Sequence, residues 1–130
     1  MISNKVMLFS ADTSMVRIVK TCLVEAGYKV IVAPQGLGAM ELIRAEKPAL
    51  IILDLELRGI NSLAIIRSLR SEEINVRTPI ILMGETMREE DVLIGLEVGA
   101  DLCLLESFHP EVFVARVRSL IRRIEPSKVF

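Results

Sequence analysis

Five short apolar runs punctuate the chain, at residues 6–9, 30–33, 50–53, 80–83 and 102–105, each bounded by turn or cap residues. A run of four or five apolar residues without alternation is what a strand covered on both faces needs, so these segments are predicted to be buried parallel strands. The stretches between them change period. Met15, Ile18, Val19, Cys22, Leu23 and Ala26 form an i, i+3, i+4, i+7 stripe that begins after Asp12, Thr13 and Ser14 and stops at Gly27. That is a helix with Asp12 or Thr13 as its N-cap. Near the end of the chain Phe113, Val117, Leu120, Ile121 and Ile124 share one face, Arg116, Arg118, Arg122 and Arg123 lie mostly off it, and Pro126 is expected to end the helix. Further helices are predicted near 36–46, 61–71 and 88–99.

Strand and helix thus alternate through five βα units. Right-handed crossovers place helices on both faces of a parallel sheet, giving an α/β, three-layer sandwich. Five such units suit the flavodoxin-like (βα)5 strand order 2-1-3-4-5. One domain is expected over residues 1–124, with 125–130 a C-terminal tail or the start of a linker.

At 130 residues and 52% hydrophobic the chain can bury one core, and a second domain is not expected. Its 16 basic and 17 acidic residues leave a net charge of -1, which provides no global field toward nucleic acid or an anionic membrane. Cys22 and Cys103 sit inside apolar periodic segments and read as buried free thiols of a reducing compartment. The N-terminus has neither the charge nor the apolar length of a signal peptide or a membrane span, so a cytoplasmic location is expected.

The residue with most chemical content is Asp54, which ends the third apolar run in "KPALIILDLELRG". In an open α/β sheet such a carboxylate reaches the carboxyl edge, where the functional crevice lies. The stretches "ALIILDLELRG", "TPIILM", "EEDVLIGLEVGAD" and "EVFVARVRSLIRR" resemble the receiver domain of bacterial two-component response regulators. The resemblance runs from about Lys5 to Arg123 and is strongest to the winged-helix transcription-factor branch. It implies that Asp54 matches the aspartate that accepts a phosphoryl group from a histidine kinase, with Mg²⁺ bridging the charges.

Several positions depart from the pattern this resemblance implies. The metal-holding acidic pair after the first strand is Ser10 and Ala11, with Asp12 one residue further on and more simply a helix cap. The hydroxyl residue after the fourth strand is Gly84, and the lysine of the Lys-Pro pair after the fifth is Glu106, followed by Ser107. Cys103 replaces the strand-five aromatic that couples the pocket to the surface. Two like unit charges ~5 Å apart repel by roughly 3 kcal/mol at an effective dielectric of 20, and a phosphoryl dianion would feel about twice that from Glu106. Glu56 and Glu85 add carboxylates near the same edge, whose plainer reading is solvated loop charge.

Converging carboxylates without a cation would recruit a positive partner or raise one another's pKa. Arg58, in the loop past Asp54, is a candidate for an internal ion pair with Asp54 or Glu106, or is solvated. A rearranged Mg²⁺ or Ca²⁺ site built from Asp12, Asp54, Glu56 and Glu106 is the alternative, although the expectation is no metal and no cofactor. His109, without Cys or His neighbours, reads as a turn or cap residue. "SADTSM" resembles the phosphate loop of flavodoxins, but one Tyr and no Trp argue against a flavin.

These readings point to a degenerate receiver, not an enzyme, that acts by dimerising or by binding a signalling partner. The expected surface is built by the fourth helix, fifth strand and fifth helix, where Glu97, Asp101 and Glu111 would face Arg116, Arg118 and Arg122 across a two-fold axis. Val92 and Leu102, standing where charged residues are usual in that branch, would make it more apolar. The alternatives are a working receiver phosphorylated on Asp54 by a histidine kinase, and a small-ligand domain on the same fold. Neither a membrane nor nucleic acid is an expected partner.

Overall fold

The computed structural model describes residues 3–73 and 75–123. Among these, strands β1 (Lys5–Phe9), β2 (Lys29–Ala33), β3 (Leu50–Asp54), β4 (Ile80–Gly84) and β5 (Leu102–Leu105) alternate with helices α1 (Thr13–Glu25), α2 (Ala39–Glu46), α3 (Ser62–Ser71), α4 (Glu89–Val98) and α5 (Pro110–Arg123). Every strand pair is parallel and the order is β2-β1-β3-β4-β5, as the sequence leads one to expect. Ile124, Pro126 and the expected tail at 125–130 lie outside the described residues.

The apolar runs lack alternation because each strand feeds two cores. Val6, Leu8, Leu50, Ile52, Ile81 and Met83 pack toward Met15, Val19 and Leu23 of α1 and Phe113, Val117, Leu120 and Ile121 of α5. Their sequence neighbours Met7, Phe9, Ile51, Leu53, Ile80 and Leu82 point the other way, toward Ile43 of α2 and Ile65, Ile66 and Leu69 of α3. The period of two along each strand is intact, and both faces are simply apolar. Asp12 caps α1, its carboxylate accepting from Ser14 N and Met15 N, and Asn61 caps α3 by accepting from Leu63 N.

Four expectations need correction. Cys22 and Cys103 are free but only half-buried, since each lies at the margin of its core cluster. Ile18, on the predicted stripe of α1, is exposed. Helix α2 begins at Ala39, because Gly36 N donates to Arg58 O. A Cβ on Gly36 would lie 2.8 Å from Ile60 O, so glycine lets the β2–α2 loop pack directly on the β3–α3 loop. Finally, α4 is not amphipathic: Gly95 is its buried residue, while Leu93, Ile94 and Leu96 are exposed.

At the amino edge of the sheet Arg70 gathers three chain segments. Its Nε and Nη2 donate to Gly99 O at 2.9 and 2.7 Å, its Nη1 to Thr78 O at 2.7 Å, and its Nη2 to Asp101 Oδ2 at 2.9 Å. Asn75 O and Val76 O accept weaker bonds from Nη1 at 3.3 Å. Gly99 has φ +130, and a Cβ there would fall 2.6 Å from Arg70 Cγ. A depression of about 340 Å³ opens beside Arg70, Arg77 and Arg123, but the Arg70 donors are already spent on the chain itself.

Candidate functional site

Parallel strands deliver their last residues to one edge. Asp54 closes β3 and is buried, 6% exposed. Its Oδ2 accepts from Ser10 Oγ at 2.7 Å and its Oδ1 from Glu56 N at 2.9 Å. Ser10 Oγ in turn accepts from Asp12 N at 3.1 Å, and Ser62 Oγ donates to Asp54 O. Ser10 is therefore an integral partner of Asp54, and the one hydroxyl proton it has is committed to that carboxylate.

The crevice above has a volume of about 230 Å³ and is lined by Ala11, Asp12, Asp54, Glu56, Arg58 and Glu85. Arg58 is exposed, and among the described residues it has no ion-pair partner. The internal pair with Asp54 or Glu106 is not formed. The reason is local: Asp54 is satisfied by Ser10 and the Glu56 amide, and the Arg58 carbonyl is tied to Gly36 N at 2.7 Å.

The carboxylates that converge are Asp12, Glu85 and Glu106, each with an oxygen within 4.8 Å of the others. This group differs from the cation quartet raised as an alternative from sequence: Glu85 belongs to it, and Asp54 and Glu56 do not. Hard divalent cations take oxygen ligands, but here the donor set is displaced from Asp54, and Ser10 and Ala11 offer no carboxylate. The residues present do not fit a cation that bridges the β3 aspartate.

Burial first, and then the charges of Asp12, Glu85 and Asp54, push the Glu106 carboxyl above the usual carboxylate range. The folded chain then keeps this proton to higher pH than the unfolded chain. Stability is lost as pH rises from the ordinary carboxylate value through the raised one. Glu106→Gln is expected to match the wild type at about pH 4 and to exceed it by about 0.5 kcal/mol at about pH 7, the group being largely solvated. Urea titrations at the two pH values check this, and an equal gap at both would contradict it.

Gly84 is buried at the end of β4, Ala11 and Ser107 are exposed, and Cys103 lies beneath α4, where a Cβ on Gly95 would come 3.4 Å from its Sγ. Of the charged residues expected on the α4, β5 and α5 face, Glu97 of α4 and Glu111, Arg116, Arg118 and Arg122 of α5 are exposed, but Glu111 and Arg118 line a groove with Cys22, Glu25 and Ala26 on the α1 side of α5. Asp101 is not available in the same way, since its carboxylate takes Arg70 Nη2 and Ile80 N within the chain. Val92 and Leu102 are half-buried, Leu102 against the core. The exposed aliphatics of this face are instead Leu93, Ile94, Leu96, Leu105 and Val112. For Leu93, Ile94 and Leu96 the signal in the sequence was the apolar run from Val92 to Leu96 in α4, too even to show which residue faced out.

With the β3 aspartate at the carboxyl edge of a 2-1-3-4-5 sheet, comparison with known proteins gives the class. Residues 6–118 match the family described as response regulator receiver domain. The chain is 33% identical over 122 residues, 94% of its length, to the probable transcriptional regulator ycf27 of Porphyridium aerugineum, covering 50% of that protein. It is 32% identical over 123 residues, 95% of its length, to the alkaline phosphatase synthesis transcriptional regulatory protein PhoP of Bacillus subtilis (strain 168), again covering 50%. The BeF3-activated N-terminal receiver domain of Klebsiella pneumoniae RstA is 30% identical, with a TM-score of 0.84 over 91% of this chain and 98% of that one. The chain belongs to the response regulator receiver domain family and is a receiver domain of two-component signalling. It spans about half the length of the curated relatives it matches. Among the described residues no helix is long and apolar enough to cross a membrane.

Proposed function

We propose that this receiver is a degenerate one, a signalling module and not an enzyme, whose output is a surface that needs no phosphorylation of Asp54. The observation that carries this reading is the charge of the crevice. Asp54 has both oxygens engaged by Ser10 and Glu56 N, and the group facing it from the β5–α5 loop is a carboxylate in a cluster of three. A phosphoryl dianion would enter among like charges, at a cost of roughly 3 kcal/mol per charge pair at ~5 Å, and Arg58, the cation lining the crevice, is held there by no ion pair among the described residues.

The test is mass spectrometry after incubation with acetyl phosphate or phosphoramidate and Mg²⁺. No labelling of Asp54 is expected, and stoichiometric labelling would favour the second reading, a working receiver that takes its phosphoryl group from a histidine kinase. That second reading draws on the position of Asp54 at the floor of an open crevice.

The surface in question is that of α4, β5 and α5, where a second copy of the chain or another signalling protein would bind. The first turn of α4 carries Glu89, Glu90 and Asp91, α5 carries the exposed Arg116, Arg118 and Arg122, and exposed aliphatics lie on the same elements. Acidic α4 against basic α5 is a self-complementary arrangement under a two-fold axis. Arg116→Glu with Arg118→Glu is expected to leave the monomer folded and to weaken self-association at least tenfold in sedimentation velocity. An unchanged dimer constant would remove this surface from consideration.

A further inference from the structure

The loop from Glu85 to Arg88 joins the crevice to α4, and it is organised around a missing side chain. A Cβ built on Gly84 would lie 3.0 Å from Thr86 O and 3.5 Å from both Cγ and Cε of Met87. The Met87 side chain thus lies across the face of Gly84 from which a side chain would project. Its remaining packing is against the core cluster that includes Leu53, Leu82 and Phe9. Gly84 O meanwhile accepts from Glu106 N at 2.8 Å, so the same residue also anchors the β5–α5 loop.

The two ends of this loop do different things. At the crevice end Glu85 stands within 4.8 Å of carboxylate oxygens of Asp12 and Glu106, and these like charges repel one another. At the other end Arg88 caps α4: its N–H donates to Asp91 Oδ2 at 2.9 Å, and its carbonyl accepts from Asp91 N and Val92 N. Methionine is flexible enough to fill an irregular gap closely, and here it sits between the force and the helix.

We propose that Met87 is an internal latch: seated in the space that glycine leaves at position 84, it holds the β4–α4 loop and the first turn of α4 in one position against the repulsion among Asp12, Glu85 and Glu106. The placement of α4, and with it of Leu93 and Leu96, is then set by side-chain packing and not by the charge in the crevice. The latch rests on packing alone and is independent of whether Asp54 ever carries a phosphoryl group.

Amide hydrogen exchange read by NMR tests it, because the Arg88, Asp91 and Val92 amides are hydrogen-bonded in the cap and report its opening. Met87→Ala is expected to speed exchange at these three amides at least tenfold and to leave Ile52 and Leu53 in β3 within twofold of the wild type. Met87→Leu should keep wild-type rates. Gly84→Val, whose branches fall where Met87 lies, should reproduce the Met87→Ala pattern with the methionine still present. Adding Glu85→Gln to Met87→Ala should bring the rates back toward wild type, since the force on the loop is then reduced. Wild-type exchange at the cap in Met87→Ala would overturn the latch. So would a double variant as fast as Met87→Ala, because charge repulsion would not then be what the latch opposes.

Discussion

Arg70→Ala is expected to lower the free energy of unfolding by about 3 kcal/mol. The guanidinium is mostly buried, its side chain 19% exposed, and it serves the carbonyls of Gly99 and Thr78 and the carboxylate of Asp101 at once. Removing it leaves those acceptors short of donors and leaves Asp101 with the Ile80 amide and a distant Arg123, 4.0 Å away. Arg70→Lys should recover little of the loss, because one ammonium cannot reproduce a planar fork aimed at two other segments. Urea unfolding of the two variants checks this. A loss below about 0.5 kcal/mol for Arg70→Ala would place it among ordinary surface changes and refute the role assigned to it.

Ser10→Ala should cost about 2 kcal/mol at neutral pH, because it takes from a carboxylate that is 6% exposed the one hydroxyl donor it has among the described residues. The effect belongs to the charge on Asp54. In an Asp54→Asn background the same change should cost about half as much, since hydrogen bonds to an ionised acceptor are roughly twice as strong as neutral ones. A double-mutant cycle measures the difference directly. If Ser10→Ala cost the same in both backgrounds, Ser10 would be a packing residue and no partner of the carboxylate.

Ser10 also marks a limit of reading sites from sequence. At that position the family resemblance implies a metal ligand, so the sequence presents Ser10 as a loss. In the folded chain it is a donor that satisfies Asp54, and the difference lies in a 2.7 Å contact between residues 44 apart. Arg58 shows the converse. Its length and charge suggested an ion pair, but the pair depends on an unsatisfied acceptor, and Asp54 is already satisfied from elsewhere. Glu85 was visible as an acid beside a strand end, yet its grouping with Asp12 and Glu106 rests on three loops meeting above the sheet.

On the outer face the same distinction holds within one helix. Within α4 the run from Val92 to Leu96 is apolar without a break, so its phase could not be read, and Val92 was expected to project where Leu93 and Leu96 do. Where the pattern was sharp, as in α5, the buried set Phe113, Val117, Leu120 and Ile121 follows the predicted face.

Strand and helix, the parallel order and the placing of Asp54 at the carboxyl edge were all determined by the chain's hydrophobic period. Burial on one face or two is written into neighbouring residues, and the handedness of the connections leaves few other arrangements. Only the tertiary structure decided that Ser10 serves Asp54, that Arg70 joins three segments, that Glu85 completes the acidic cluster and that Met87 lies over Gly84. Each of these depends on the approach of two loops or of a side chain and a distant carbonyl. Such distances are set by packing across the whole sheet, to which no local period along the chain corresponds.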